Sequence, residues 1–220
     1  MLVIPAGAGV AAAADTGTAS GWTDDRFHRL AALALLEELR GALLTENSAT
    51  LTLEHWCAAH RIAGPEAHVV AERDRSIHRP LAASDRVLLA IGQDEPVGYR
   101  HVRLTCGGHL LSEADNWYVP GRLTPEMNHQ LDATEIPFGR VVMALGFTRT
   151  TLSSHLLWSP LPADWVTVAG PAPSQATPLA IPDALIENRA LLRRADGEPF
   201  SLVIETYQRG LLEFAAPPPA

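Results

Sequence analysis

The sequence predicts an α+β fold in which a single antiparallel β-sheet carries helices inserted between its strands. Segments 99–106 and 109–119 have strand character and flank Gly107-Gly108, a pair suited to a tight hairpin turn. A second hairpin is predicted over 189–194 and 200–207. The segments with helical periodicity lie before and between these strands and do not alternate with parallel strands. This arrangement favours α+β over α/β.

The remaining elements follow in chain order. A first helix is expected to begin at Thr23-Asp24-Asp25, which supplies a cap, and to end at Asn47-Ser48. We then expect a short helix over 51–60, a strand over 68–73, a helix opened by Thr124-Pro125, a turn at 136–139 and a strand over 147–158. The Pro- and Ala-rich stretch 159–183 is predicted to be a long surface connection.

Composition limits the possible partners. The chain has 220 residues and a net charge of −8, without the basic cluster that nucleic-acid binding needs. It also lacks an apolar run long enough to span a membrane. We therefore expect a monomer that binds a small-molecule substrate and neither nucleic acid nor a bilayer.

The chain is divided by composition into a leader, a domain and a tail. We expect a disordered or weakly signal-like leader over 1–21, a single domain over 22–215 and a disordered Pro-rich tail over 216–220. The leader lacks the Lys or Arg of a signal-peptide n-region. A cytoplasmic location is therefore expected, with export as the alternative if residues 1–14 are a truncated signal peptide.

Cysteine and histidine give no sign of a metal centre. Cys57 and Cys106 could bridge in an oxidising compartment, although free buried thiols are the expectation. His55, Cys57 and His60 lie close in sequence, yet one helical turn cannot bring all three to a tetrahedral site. We expect no metal and no cofactor.

Two charged residues stand in apolar strand faces. Alternation in 99–106 places Arg100 on the face of Val102 and Leu104, and places Tyr99 and His101 on a face predicted to be solvent-exposed. Glu205 belongs to a strand that is apolar on both sides. Because an unpaired buried charge is costly, either the two residues pair or lie at a wet sheet end, or Arg100 binds a substrate carboxylate and Glu205 handles a proton.

Four segments resemble the chorismate lyase (chorismate pyruvate-lyase) family, and they occur in the family's order. They cover roughly residues 27 to 207 and are Asn47-Ser48-Ala49-Thr50, Tyr99-Arg100-His101-Val102-Arg103-Leu104, Ile136-Pro137-Phe138-Gly139-Arg140 with Thr148-Arg149, and Leu202-Val203-Ile204-Glu205. The resemblance implies an antiparallel sheet with a ligand buried beneath helical flaps, a fold shared with effector domains of some transcription regulators.

The resemblance also implies a function and a set of site residues. A family member converts chorismate to 4-hydroxybenzoate and pyruvate without cofactor or metal, as a step towards ubiquinone. Arg100 would bind the ring carboxylate and Glu205 would assist proton transfer. The backbone amides at Ala49 and at Phe138-Gly139 would hold the ligand.

Two other functions remain open at this point. One is a non-catalytic domain of the same fold that binds a small aromatic carboxylate, and the other is a lyase or isomerase acting on another carboxylated ring. The presence of both Arg100 and Glu205 favours an enzyme, because a binder has less use for the acid.

Overall fold

The computed structural model describes residues 21–166 and 177–218 and contains a six-stranded antiparallel sheet. The strands lie in the order β1-β2-β3-β6-β5-β4. Their bounds are β1 Val69–Asp74, β2 Gly98–Cys106, β3 His109–Tyr118, β4 Thr148–Leu156, β5 Ala184–Arg193 and β6 Pro199–Gln208. The predicted α+β class with one antiparallel sheet is confirmed.

Five α-helices are described between and before the strands. They are α1 Arg26–Thr45, α2 Ala49–Ala59, α3 Ala83–Leu88, α4 Pro125–Ala133 and α5 Phe138–Val141. Short 3-10 turns follow at Pro120–Arg122, Met143–Leu145 and Arg209–Leu212. Within the described ranges, no helix is both long enough and apolar enough to cross a bilayer.

The helix starts follow from their capping residues. The side chain of Asp25 accepts from the backbone N–H of His28 at the start of α1, and that of Ser48 accepts from Leu51 at the start of α2. Thr124 caps α4, with Pro125 at the first helical position. The helices predicted at these points are confirmed to within two residues at their starts.

Both hairpins form as predicted. Gly107 and Gly108 have φ angles of +59° and +90°, which only glycine adopts at little cost and which a two-residue turn between β2 and β3 requires. The second hairpin joins β5 and β6, and its first strand begins five residues before the predicted segment.

The outer face of the sheet is covered, which corrects one prediction. Residues 75–97, including α3, cross this face and bury a cluster that contains Leu89 and Trp117. The indole Nε1 of Trp117 donates to the carbonyl of Arg79 at 2.9 Å. His101 is therefore buried instead of facing solvent, and its Nδ1 lies 2.9 Å from a carboxylate oxygen of Asp115.

The chain ends differ in part from the expectation. The predicted leader lies outside the described residues except for Gly21, and so do residues 167–176 of the 159–183 connection. Ala216, expected in a disordered tail, packs partly buried against the main core, whereas residues 219 and 220 are again outside the described range.

The expectation of free thiols is wrong, because Cys57 and Cys106 form a disulfide. Their Cα atoms are 6.7 Å apart, and the bond joins α2 to the end of β2 across 49 positions of sequence. Both cysteines belong to the main core cluster, between α2 and the sheet. The bond therefore ties α2 to the inner face of the sheet.

Reduction of this disulfide is expected to lower the free energy of unfolding by about 2–4 kcal/mol, because closure of a loop this long restricts the unfolded chain. Urea unfolding with and without a dithiol reductant measures the change. The Cys57→Ala/Cys106→Ala variant serves as the control, since its unfolding midpoint should be the same with and without the reductant. Identical midpoints for the natural chain in both conditions would contradict the expectation.

Candidate ligand-binding site

Strand register brings residues that are distant in sequence onto the inner face of the sheet. Directly opposed residues on neighbouring strands point to the same side. Arg100 of β2 therefore shares a row with Asn116 of β3 and Val203 of β6. The next row contains Ala114 and Glu205. Arg100 and Glu205 thus lie on one face, with β3 between them.

A cavity opens above these rows, with a volume of about 520 Å³ including its solvent-open mouth. Its floor is the inner face of the sheet, and its walls come from the starts of α2 and α5. The lining residues are Asn47, Ser48, Ala49, Thr50, Val102, Leu104, Ala114, Asn116, Pro137, Phe138, Gly139, Phe147, Arg149, Leu192, Val203 and Glu205.

Four of the five predicted site residues line this cavity, namely Glu205 on the sheet and Ala49, Phe138 and Gly139 on the helices. Ala49 is the first residue of α2, and Phe138 and Gly139 are the first two residues of α5. Amide N–H groups in the first turn of a helix have no acceptor within that helix. The cavity wall therefore offers backbone donors together with the apolar ring of Phe138.

Glu205 is held by an arginine other than the expected one. Arg149 of β4 donates from Nη1 and Nη2 to the two oxygens of the Glu205 carboxylate, at 3.2 and 2.5 Å. The Tyr207 hydroxyl donates to the same carboxylate at 2.9 Å. Burial and then the neighbouring Glu205 charge raise the pKa of Tyr207 well above its usual value, so the phenol stays protonated.

The Arg149–Glu205 pair is enclosed and charged. The two side chains are 5% and 8% exposed. Burial disfavours the cation, but the Glu205 carboxylate outweighs that effect and holds the pKa of Arg149 above its ordinary value. The charges of Arg149 and Glu205 therefore balance each other in the cavity wall.

Arg100 has a different environment. It is 1% exposed, and none of its three guanidinium nitrogens has a hydrogen-bond partner within residues 21–166 and 177–218. Burial, followed by repulsion from Arg73, lowers the pKa of Arg100 to about 10. Arg100 does not itself line the cavity, although its row neighbour Asn116 and its strand neighbour Val102 both do.

Arg149 and Asn116 are two polar cavity residues to which the sequence analysis gave no role in the site. Arg149 belonged to the Thr148-Arg149 segment of the family resemblance, which was the one available signal. The Arg149–Glu205 contact joins residues 56 positions apart and depends on the registers of β4, β5 and β6. Alternation within one strand does not reveal such a register.

The sequence matches no protein-family model. It is similar to a protein of Sinorhizobium fredii named y4mC, which is described as uncharacterised. The two chains are 48% identical over 205 residues, which make up 93% of this chain and 86% of y4mC.

Solved structures with a similar fold belong to transcriptional regulators. PhnF of Mycobacterium smegmatis has a TM-score of 0.47 and 13% identity, over 80% of this chain and 70% of PhnF. The ligand-binding domain of a GntR-family regulator from Bordetella bronchiseptica has a TM-score of 0.37 and 15% identity, over 66% and 84%. YydK of Bacillus subtilis, described as a possible transcriptional regulator, has a TM-score of 0.39 and 17% identity. The similarity covers 69% of this chain and 62% of YydK, which is less than two thirds of the length of YydK.

The prediction of an enzyme is wrong. A chorismate pyruvate-lyase was expected, whereas the similar folds named above belong to regulators and include a ligand-binding domain. None of them is a chorismate lyase, and ubiquinone biosynthesis gains no support. In the structure both oxygens of Glu205 accept hydrogen bonds, and Arg100, the arginine expected to act with it, lies two strands away.

Replacement of Glu205 is expected to destabilise the protein strongly. The Glu205→Gln variant leaves the Arg149 cation buried and unpaired, which should cost about 3 kcal/mol in the free energy of unfolding. Urea denaturation at neutral pH measures the loss. Glu54→Gln is the matched control, because Glu54 pairs with Arg140 nearer the surface, and its loss should stay below about 1 kcal/mol.

The double variant Glu205→Leu/Arg149→Met tests the reason for that loss. It removes both charges and should recover most of the stability that Glu205→Gln loses. A double variant no more stable than Glu205→Gln would show that the uncompensated cation is not the cause.

Proposed function

We propose that this chain, which belongs to the same protein family as y4mC of Sinorhizobium fredii, is a domain that binds a small aromatic carboxylate without transforming it. The observation that carries the proposal is the state of Arg100, a cation enclosed by protein with all three nitrogens unpartnered among the described residues.

Charge supports an anionic ligand. A buried guanidinium without a partner costs several kcal/mol, and natural proteins keep such a group only where something balances it. The planar fork of arginine donates two parallel hydrogen bonds to a carboxylate, which is the geometry that best offsets this cost. A carboxylate that enters the site would supply the missing partner of Arg100.

Shape supports a ring. The sheet contributes Val102, Leu104 and Val203 to the cavity floor, and Phe138 and Phe147 contribute aromatic surface. Pockets of mostly apolar lining with a few polar groups are typical of small-molecule sites. Arg100 lies in the Asn116 row at the cavity edge, so a rotamer change of its long side chain would carry the guanidinium to a bound ring.

The state of Glu205 supports binding over catalysis. A general base needs a free oxygen within hydrogen-bond reach of the proton it removes. Three hydrogen bonds from Arg149 and Tyr207 hold the Glu205 carboxylate in place, so its proposed role is to orient Arg149 in the cavity wall. The backbone amides at Ala49 and at Phe138-Gly139 are proposed to donate to the polar edge of the ligand.

Isothermal titration with 4-hydroxybenzoate tests the proposal. The natural chain should bind this probe, and the Arg100→Met variant should bind it at least about a hundredfold more weakly, since it loses a buried bidentate ion pair. Arg103→Met is the matched control, because Arg103 lies on the same strand with its side chain 47% exposed, and its affinity should be unchanged. The probe should be recovered chemically intact.

A stability measurement separates loss of the ligand contact from misfolding. Without ligand, Arg100→Met should be at least as stable as the natural chain, because an unpaired buried cation is replaced by an apolar side chain of similar length. Equal affinity of Arg100→Met and the natural chain for 4-hydroxybenzoate would overturn the proposal, as would conversion of the probe.

A further inference from the structure

Two more arginines lie beside Arg100, where β1 and β2 meet the end of α4. Arg73 of β1 is paired in register with Val102, so it points to the inner face, as Arg100 does. Arg75 follows the last residue of β1, one register step beyond the Asp74–His101 pair. Three guanidinium groups therefore gather at one edge of the inner face.

The local charge there is unbalanced. Arg73 and Arg75 both act on Arg100 by repulsion, and Asp132 of α4 is the carboxylate that opposes them. Asp132 lies 3.6 Å from Nη1 of Arg73, with its side chain 69% exposed to water. Among the described residues, the side chains of three arginines thus lie near one solvated carboxylate, in a chain whose net charge is −8.

Arg73 does not line the cavity, and among the described residues its polar contacts involve Nη1. Its Nη1 donates to the carbonyl of Leu131 at 3.2 Å and is the same nitrogen that faces Asp132. The Arg73 side chain is 15% exposed, so water and small ions reach it. The neighbouring Arg75 is committed to the Asp132 carbonyl, through an Nη2 contact of 2.5 Å at the end of α4.

We propose that Arg73 is a second cation of the ligand site, and that the natural ligand carries a second anionic group beside the carboxylate that Arg100 takes. This inference rests on the proposed binding function. The second group is a carboxylate or a phosphate on the same ring system, since either has the oxygen geometry that a guanidinium binds. Arg73 is thus a specificity-determining residue that selects ligands with two anionic groups.

Titration of three matched probes tests the inference. They are 4-hydroxybenzoate, with one anionic group, 4-hydroxyisophthalate, with a second carboxylate, and 4-carboxyphenyl phosphate, with a phosphate. At least one of the latter two should bind roughly tenfold more tightly than 4-hydroxybenzoate, as expected for one added charged hydrogen-bonded contact. Which of them gains the affinity identifies the second group.

Variants of Arg73 connect that preference to this side chain. Arg73→Gln should reduce the preference to less than about threefold, because the second anionic group loses its cationic partner. The urea unfolding midpoint of the ligand-free variant, compared with that of the natural chain, shows whether the domain is folded. Arg73→Lys keeps the charge and should retain part of the preference. Arg103→Gln, on the outer face, is the control and should leave all three affinities as they are.

The outcomes separate this inference from the proposed function. If 4-hydroxybenzoate binds in an Arg100-dependent way but neither dianionic probe gains affinity, the role of Arg73 is overturned and the binding function stands. The role of Arg73 is also overturned if Arg73→Gln weakens all three probes equally. If none of the three probes binds, both proposals fail.

Discussion

The constraint on which the site depends is the cost of a positive charge inside a protein. Two arginines are enclosed on the inner face of the sheet, and the structure balances them differently. Arg149 has a carboxylate at hydrogen-bonding distance on both of its terminal nitrogens, so its charge is compensated within the fold. Arg100 has no such partner in the described part of the chain. Among residues 21–166 and 177–218 the fold supplies no such compensation for Arg100, and this is the observation on which the proposed ligand rests.

Sheet topology explains why these charges meet although their sequence positions do not. β2 and β3 form one hairpin, β5 and β6 form another, and β3 pairs with β6 to join them. A row across this sheet therefore combines residues from both ends of the chain, such as Arg100 and Val203. The disulfide from Cys57 to Cys106 then ties α2 to the sheet, so the helix whose first turn forms a cavity wall is held over the same rows. Sheet floor and helical wall are thereby positioned as a single unit.

Local chemistry was predictable from the sequence, and long-range pairing was not. Gly107-Gly108 and the capping residues Asp25 and Thr124 act within four residues, so the turn and these helix starts could be predicted directly from the sequence. Alternation likewise placed Arg100 on an apolar face, and the structure buries it there. By contrast, the partner of Glu205 depends on two further strand registers, and the pairing of two cysteines depends on how α2 lies on the sheet. Burial of His101 was missed for a similar reason, because residues 75–97 cover a face that alternation alone cannot distinguish from an exposed one.

A site of this kind links ligand binding to the stability of the fold. If the proposed function holds, a carboxylate bound at Arg100 would turn an uncompensated buried cation into an ion pair that is shielded from water. Any ligand that binds the folded chain and not the unfolded one shifts the folding equilibrium by mass action. A ligand that pairs with Arg100 would therefore raise the free energy of unfolding as the proposed site is occupied. Glu205 has the opposite effect on Arg149, because its carboxylate already neutralises that guanidinium within the fold.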